Sequence, residues 1–161
     1  LDLDTQADRD YYLACRQDAW QTIYGNLDRY DGAGFLDDAY DSWKANPKSL
    51  VVAMAGSHRA GLLQLDPRRG QETHEAYISF LYLAPEQRNN GVGIQLIGKA
   101  VSLSRPLDCD KLGLVCSEQN AHALAFYQKY GFHTIGTEAG AYGTLYRMQK
   151  DIGYTVREDL M

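Results

Sequence analysis

The chain has 161 residues, 45% of them apolar and 11% aromatic, enough material to fill one hydrophobic core and too little for two ordinary domains. With 16 basic against 21 acidic side chains it carries a net charge of −5, so its overall field offers no attraction to nucleic acid or to an anionic membrane. Cys15, Cys109 and Cys116 have neither disulfide-framework nor zinc-ligand spacing, which suits a reducing, cytoplasmic setting with no metal.

No apolar run approaches the roughly 20 residues of a membrane span, and Leu1-Asp2-Leu3-Asp4 has neither a basic nor an apolar signal region. The chain begins without Met, as a processed, tag-trimmed or excised chain would. Residues 1–161 are expected to form a single domain, with no membrane and no nucleic acid among its partners.

Taken in order, Leu1 to Thr5 is a short start that could form an edge strand. Tyr12, Cys15, Ala19, Ile23 and Leu27 then mark one helical face, widened by Trp20 and Tyr24. Gly25 to Gly34 reads as a loop, and Leu36, Tyr40 and Trp43 predict a second helix that ends before Asn46-Pro47. Ser49–Ala55 and Ala60–Leu65 flank Gly56-Ser57-His58 as two antiparallel strands around a turn. Asp66 to Gln71 makes the next turn and Glu75 to Leu83 a central strand. A helix over 94–105, a strand Lys111–Cys116 and a helix over 121–130 follow, with Gly131 where a cap glycine would stand. Phe132–Thr137 and Thr144–Met148 predict a closing hairpin, and the polar tail from Asp151 says little.

The most informative stretch lies between the central strand and the helix behind it, Arg88-Asn89-Asn90-Gly91-Val92-Gly93. A glycine-punctuated turn that opens a helix presents unpaired backbone N–H groups and the positive end of the helix dipole, a site for phosphate oxygens. Asn89 and Asn90 tolerate left-handed backbone, Gly91 and Gly93 adopt it freely, and Arg88 adds a fixed positive fork. The dinucleotide fingerprint fails here because its third glycine position is Leu96. A nucleoside-triphosphate loop fails as well, because Ala100 lacks the magnesium-binding hydroxyl and Ile94, Leu96 and Ile97 look like buried helix positions.

A third pattern fits: Arg-x-x-Gly-x-Gly after an apolar strand and a proline, present as Leu81-Tyr82-Leu83-Ala84-Pro85-Glu86-Gln87 followed by the loop above. It closely resembles the acetyl-coenzyme A signature of the GCN5-related N-acetyltransferase (GNAT) superfamily. A second block, Leu114 to Phe132 with Asn120 opening a helix and Phe126-Tyr127-Gln128-Lys129-Tyr130-Gly131-Phe132 closing it, resembles the same family at the expected distance. The two blocks and their connection span Tyr77 to Phe132. The resemblance implies a mixed α/β architecture, the acyl-CoA N-acyltransferase fold. Its central sheet is twisted and mostly antiparallel, with helices on both faces and two strands splaying apart to leave a slot for coenzyme A.

If that geometry holds, backbone groups of Leu81 and Leu83, with Tyr82 between them, pair with the pantetheine arm, and the N–H groups of Arg88, Asn89, Asn90, Gly91, Val92 and Gly93 take the pyrophosphate. Asn120 is expected to contact the cofactor and Tyr127 to act as general acid. The seven residues between them are two helical turns and place both on one face. An ordinary helix cap for Asn120 and a packed aromatic for Tyr127 are the plainer alternatives. Glu75 shares the strand parity of Tyr77 and Ser79 and is the candidate base, with an exposed strand-end glutamate equally open.

Tyr24, Tyr30 and Tyr142 are expected to shape an acceptor pocket. The loop Tyr24 to Phe35 and the hairpin Glu138 to Gly143 are expected to build it; Asp28, Asp31, Asp37, Asp38 and Glu138 could draw a cationic amine there or be a solvated face, and the three tyrosines could equally shape a site for an aromatic or amino-acid acceptor. No nucleophile triad stands out, in keeping with direct attack by an amine. The expected activity is acetyl transfer from acetyl-CoA to the primary amine of a small molecule. A sensor domain that binds acyl-CoA without turning it over, and acetylation of a protein or peptide, are the alternatives. The resemblance also suggests a homodimer through the last strands or the tail.

Overall fold

The computed structural model describes residues 1–70 and 72–153. Position 71, expected in a turn, and the tail from 154 onward, expected as part of a self-association surface, lie outside the described residues.

Helix α1 (Gln6–Tyr24) starts where Thr5, in extended conformation, accepts a bond from the Asp8 N–H, and stops at Gly25, whose φ of 77° closes the last turn. Helix α2 (Gly32–Ala45) starts earlier than the sequence suggests because the Asp31 side chain accepts the Gly34 N–H and supplies the cap. Leu1–Thr5 is not a strand. Asp2 accepts bonds from the Asp4 N–H and, through its backbone oxygen, from Thr5, so local side-chain and turn bonds take the groups a strand would offer. Leu3 instead plugs the core, fully buried.

Strands β1 (Leu50–Ala55), β2 (His58–Leu65), β3 (Glu75–Leu83), β4 (Lys111–Ser117), β5 (His133–Gly140) and β6 (Gly143–Asp151) form one sheet in the order β1-β2-β3-β4-β6-β5. Every neighbouring pair is antiparallel except β3 and β4, which are joined through helix α3 (Val92–Ser104). Helix α4 (Ala121–Lys129) leads from β4 to the β5–β6 hairpin, which runs longer than predicted. Alternation along the strands divides the core in two. Leu63, Ile78, Leu96, Ile97, Leu112, Leu114 and Met148 fill the α3/α4 face, and Leu3, Tyr12, Ala39, Leu50 and Leu62 the α1/α2 face.

Two irregularities of β3 create the site. It pairs with β4 only at Glu75↔Lys111, Ala76↔Leu112 and Tyr77↔Gly113; beyond these the strands part, β3 staying with β2 and β4 with β6. Just past the parting, Gln64 faces Phe80 while Leu65 faces Ile78, so Ser79 is the extra residue of a β-bulge. Ile78 therefore faces the α3/α4 core, whereas Ser79 and Phe80 both turn toward α1 and α2.

Candidate functional site

The slot between the diverging strands has polar backbone on its β3 wall. Ala84 donates its N–H to the Ala60 oxygen of β2, and N–H directions alternate along a strand. Those of Leu81 and Leu83 consequently point away from β2, into the space β4 has left. Tyr82 turns its side chain to the other face, where its hydroxyl donates to Asp18 of α1. Burial, with that carboxylate beside it, pushes the Tyr82 phenol well above its ordinary range.

At the open end of the slot the Pro85–Gln87 turn leads into α3 through Asn89 (φ 67°) and Gly91 (φ 81°), both left-handed. Gly91 caps the helix without a side-chain bond. Among the described residues the backbone N–H groups of Asn89, Gly91, Val92, Gly93 and Ile94 have no protein partner. A Cβ on Gly91 would meet nothing within 4 Å, so a ligand can approach that amide closely. Gly93 differs from expectation: it is helical and buried, and a Cβ there would come 2.7 Å from the Phe126 ring, so glycine serves close packing of α3 on α4. Arg88 leans toward Asp18, with Nη2 4.0 Å from Oδ2. Leu96 and Ile97 are buried as expected, but Ile94 is 44% exposed beside the loop.

Across the slot, Asn120 caps α4 by accepting the Ala123 N–H at 3.2 Å. Tyr127 lies two turns on, buried between Phe126 and Phe132 at ring distances of 5.4 Å each. Its hydroxyl makes no hydrogen bond among the described residues. Burial, with the Cys116 thiol of β4 adding to it, holds the phenol far above its ordinary value, so it stays protonated. The Cys116 thiol is itself pushed up to about 11 by burial.

On the opposite face a cavity of about 460 Å³ reaches the bulge, closed at that end by Tyr77 and Ser79 and walled by Trp20 of α1 and Phe35 of α2. Its floor is a polar network. The Tyr12 hydroxyl donates to Gln64 Oε1 at 2.6 Å, Arg16 Nε donates to that hydroxyl at 2.9 Å, and Gln64 Nε2 donates to Asp38 at 3.2 Å. Arg68 then bridges Asp38 (2.6 Å) and Asp66 (2.9 Å). Burial works to raise the Asp66 carboxyl, but bonds from the Arg68 side chain and backbone outweigh it and hold it below its usual value. A second, smaller hollow of about 290 Å³ shares Trp20 and Arg29 and adds Tyr24, Gln119 and Tyr142.

The structure brings some predicted residues together and separates others. Tyr24 and Tyr142 meet around Trp20, with ring centroids 4.6 to 5.2 Å apart, and Tyr30 touches the same ring at 6.2 Å. Glu75 sits at the closed end of the slot, over Gly113, accepting a bond from Gln149 of β6, and is not part of the cavity wall. Sequence reasoning placed the Tyr24–Phe35 loop here without singling out Arg29, and missed Arg16 and Arg69 in the wall and Gln64 in the floor. One signal was present: Tyr12, Arg16, Trp20 and Tyr24 recur every fourth residue and form a single stripe along α1. Among the described residues no group of three or more His, Cys, Asp or Glu is placed to hold a metal, and no helix is long and apolar enough to cross a membrane.

Comparison with known proteins adds an independent line. The model of the acetyltransferase (GNAT) family matches residues 9–132. "GCN5-related N-acetyltransferase 4, chloroplastic" of Arabidopsis thaliana is 29% identical over 111 residues, 63% of this chain and 38% of its own length. Human "N-alpha-acetyltransferase 30" is 31% identical over 88 residues, 53% of this chain and 24% of its own. The chain thus spans well under half of either relative. Among solved structures, Ard1 from Thermoplasma volcanium superposes with a TM-score of 0.73 at 22% identity, covering 93% of this chain and 95% of that one. An aminoglycoside 6'-N-acetyltransferase complexed with coenzyme A gives 0.72 at 16% identity over 96% of each chain. At these identities the likeness is one of fold.

Proposed function

Because the chain belongs to the acetyltransferase (GNAT) family, we propose that it transfers the acetyl group of acetyl-CoA to the primary amine of a small-molecule acceptor. The observation that carries this is the meeting of slot and cavity at one point of β3, the bulge at Ser79 where β3 and β4 part. A thioester lying in the slot and an amine in the cavity would face each other there. The free amides of Asn89 and of Gly91 to Ile94 and the space over Gly91 suit a pyrophosphate, and the slot-facing amides of Leu81 and Leu83 suit an amide-bearing arm.

Bound acetyl-CoA supplies the activated acetyl group. The chain's own residues do the rest. Leu81 and Leu83 orient the arm through backbone bonds, and the loop from Arg88 to Gly93 holds the phosphates. Tyr127, protonated and without a hydrogen-bond partner among the described residues, gives its proton to the departing thiolate, and the proton the amine loses on forming the amide restores the phenol through solvent. Asn120 completes the wall while capping α4. Direct attack by the amine requires no covalent enzyme intermediate. Glu75 could serve as base only through a relay, because its carboxylate is turned to Gly113 and Gln149. Tyr24, Tyr30 and Tyr142, gathered around Trp20, form the outer rim of the acceptor site. A cytoplasmic setting and a homodimer through the last strands belong to the same proposal.

The test is release of free thiol from acetyl-CoA against polyamines, amino acids, aminoglycosides and short peptides, with Tyr127→Phe beside the unaltered chain. Acceptor-dependent release that collapses in the variant supports the enzyme and its acid. Binding of acetyl-CoA with no acceptor raising turnover above the blank favours the sensor reading. Release with peptides alone makes the acceptor a protein terminus, as the human relative's name implies for that protein.

A further inference from the structure

The acceptor cavity carries three arginines, Arg16, Arg29 and Arg69, and three aspartates, Asp31, Asp38 and Asp66; among the described residues no ion pair joins the two sets, although the charge of Arg69 helps to lower the Asp66 carboxyl. Asp38 and Asp66 are both engaged by Arg68, and the Asp31 side chain caps α2. Among the described residues Arg16, Arg29 and Arg69 form no ion pair. Aromatic faces hold them instead. The Arg16 guanidinium lies between Phe80 (4.0 Å) and Phe35 (4.3 Å), Arg69 lies 3.6 Å over Tyr77, and Arg29 lies 5.1 Å from the Tyr142 centroid.

This arrangement has a physical consequence. Stacking fixes the plane of a guanidinium and dries its flat sides, leaving its N–H edges to meet a planar anion. Arg16 spends bonds only on neutral partners, Tyr12 and Gln64, and reaches Asp38 only through the Gln64 amide. A half-buried cation without a counter-charge is costly, and an incoming carboxylate would relieve that cost. Asp38 and Asp66 share Arg68 and Asp31 is tied to a helix end, so each of the three already has a partner.

We infer that the acceptor is an amino carboxylate, a small amino acid or a compound of that kind, whose carboxylate is held by Arg16 and Arg69 while its amine points to the bulge at Ser79. The inference rests on the acetyltransferase reading of this site and narrows its substrate. Arg16 stacks on Phe80, the residue next to Ser79, so the carboxylate and amine are separated by few bonds. Trp20 and Phe35 wall the remaining volume and suit an apolar or aromatic side chain. Arg29, at the rim with Tyr142, meets whatever projects outward.

The test compares each of a set of L-amino acids with its own carboxamide as acceptor, by thiol release. Binding of the matching N-acetyl-amino acid and its amide is followed by fluorescence of Trp20, with Trp20→Phe separating that signal from Trp43. The carboxylate should be preferred about 10- to 100-fold in kcat/KM, as the loss of a charged hydrogen bond predicts, and mainly through KM. The preference should shrink toward unity in Arg16→Gln and Arg69→Gln and partly return in Arg16→Lys; Arg69→Gln, at an exposed position, stands in should Arg16→Gln fail to fold. Turnover of amides or polyamines as readily as amino acids overturns the inference and leaves acetyl transfer standing. Selective binding of the N-acetyl carboxylate with no turnover of any amine keeps the carboxylate site at Arg16 and Arg69 and removes the acetyltransferase. A fluorescence signal that ignores the carboxylate, with no turnover, removes both.

Discussion

In the proposed reaction Tyr127 is the general acid, and its environment decides its state. A phenol raised by burial and by the nearby Cys116 remains protonated throughout the neutral range, so it can donate but not accept. Tyr127→Phe is expected to lower kcat by about 10² to 10⁴ while leaving acetyl-CoA affinity unchanged, measured by single-turnover kinetics and titration. For the unaltered protein kcat should show no alkaline decline owed to Tyr127 below about pH 10, its ordinary value. The spacing of Asn120 and Tyr127 made their shared helix face legible in the sequence, because both belong to one short helix. Arg16, Arg29 and Arg69 were not legible as a set, because they come from a helix, a loop and a turn that only the fold assembles. Glu75 shows the limit of strand parity: it shares a face with Tyr77 and Ser79, yet its carboxylate is drawn to Gly113 and Gln149 at the closed end.

At the scale of elements, the approach of α3 to α4 depends on Gly93. Gly93→Ala sets a Cβ against Phe126 and Leu83 and should cost about 1–3 kcal/mol of stability, with acetyl-CoA affinity falling as the N-terminus of α3 is displaced. Denaturant unfolding and titration of the same variant check both halves. Asn120 offers a cleaner division. Asn120→Ala should cost about 1 kcal/mol through the lost cap, whereas Asn120→Asp keeps the cap; if Asn120 also touches the cofactor, the aspartate variant loses affinity at unchanged stability. The loop sequence announced its left-handed turns at Asn89 and Gly91, since those residue types carry the conformation locally. It could not announce the parting of β3 from β4 or the bulge at Ser79, which are properties of pairing between distant segments. Leu1–Thr5 misled for a related reason: alternating leucine and aspartate suits a strand, but Asp2 and Asp4 make turn bonds first.

For the whole molecule, the titrating groups set a stability window. Asp8, chiefly through a backbone bond from Asp2, and Asp66, through Arg68, have carboxyls held below their usual value. Their contribution is present above the unfolded value near 3.8 and lost as pH falls through the lower folded value. Burial raises the thiols of Cys15 and Cys116 from 9.0 to about 11, and raises the phenols of Tyr11, Tyr12 and Tyr77 as well. Between pH 9 and 11 the unfolded chain releases thiol protons that the folded chain keeps, so stability falls as pH rises across that interval. Denaturant midpoints should be level from about pH 5 to pH 8 and decline on both sides; a midpoint unchanged from pH 8 to pH 11 would contradict the buried positions of these groups. The fold class was legible at this scale because length, composition and two motif blocks at the right separation agree on it.

The central claim is that the slot between β3 and β4 receives acetyl-CoA, and backbone amide exchange with and without acetyl-CoA tests it most directly. Among the described residues the amides of Leu81 and Leu83 and those of Asn89 and Gly91 to Ile94 have no protein partner, so they should exchange freely in the isolated chain and slow together when acetyl-CoA is added. Slowing at those positions, with the β1–β2 hairpin unaffected, is the predicted result. Binding that leaves Leu81, Leu83 and the loop amides exchanging as before, or protects residues elsewhere, would contradict it.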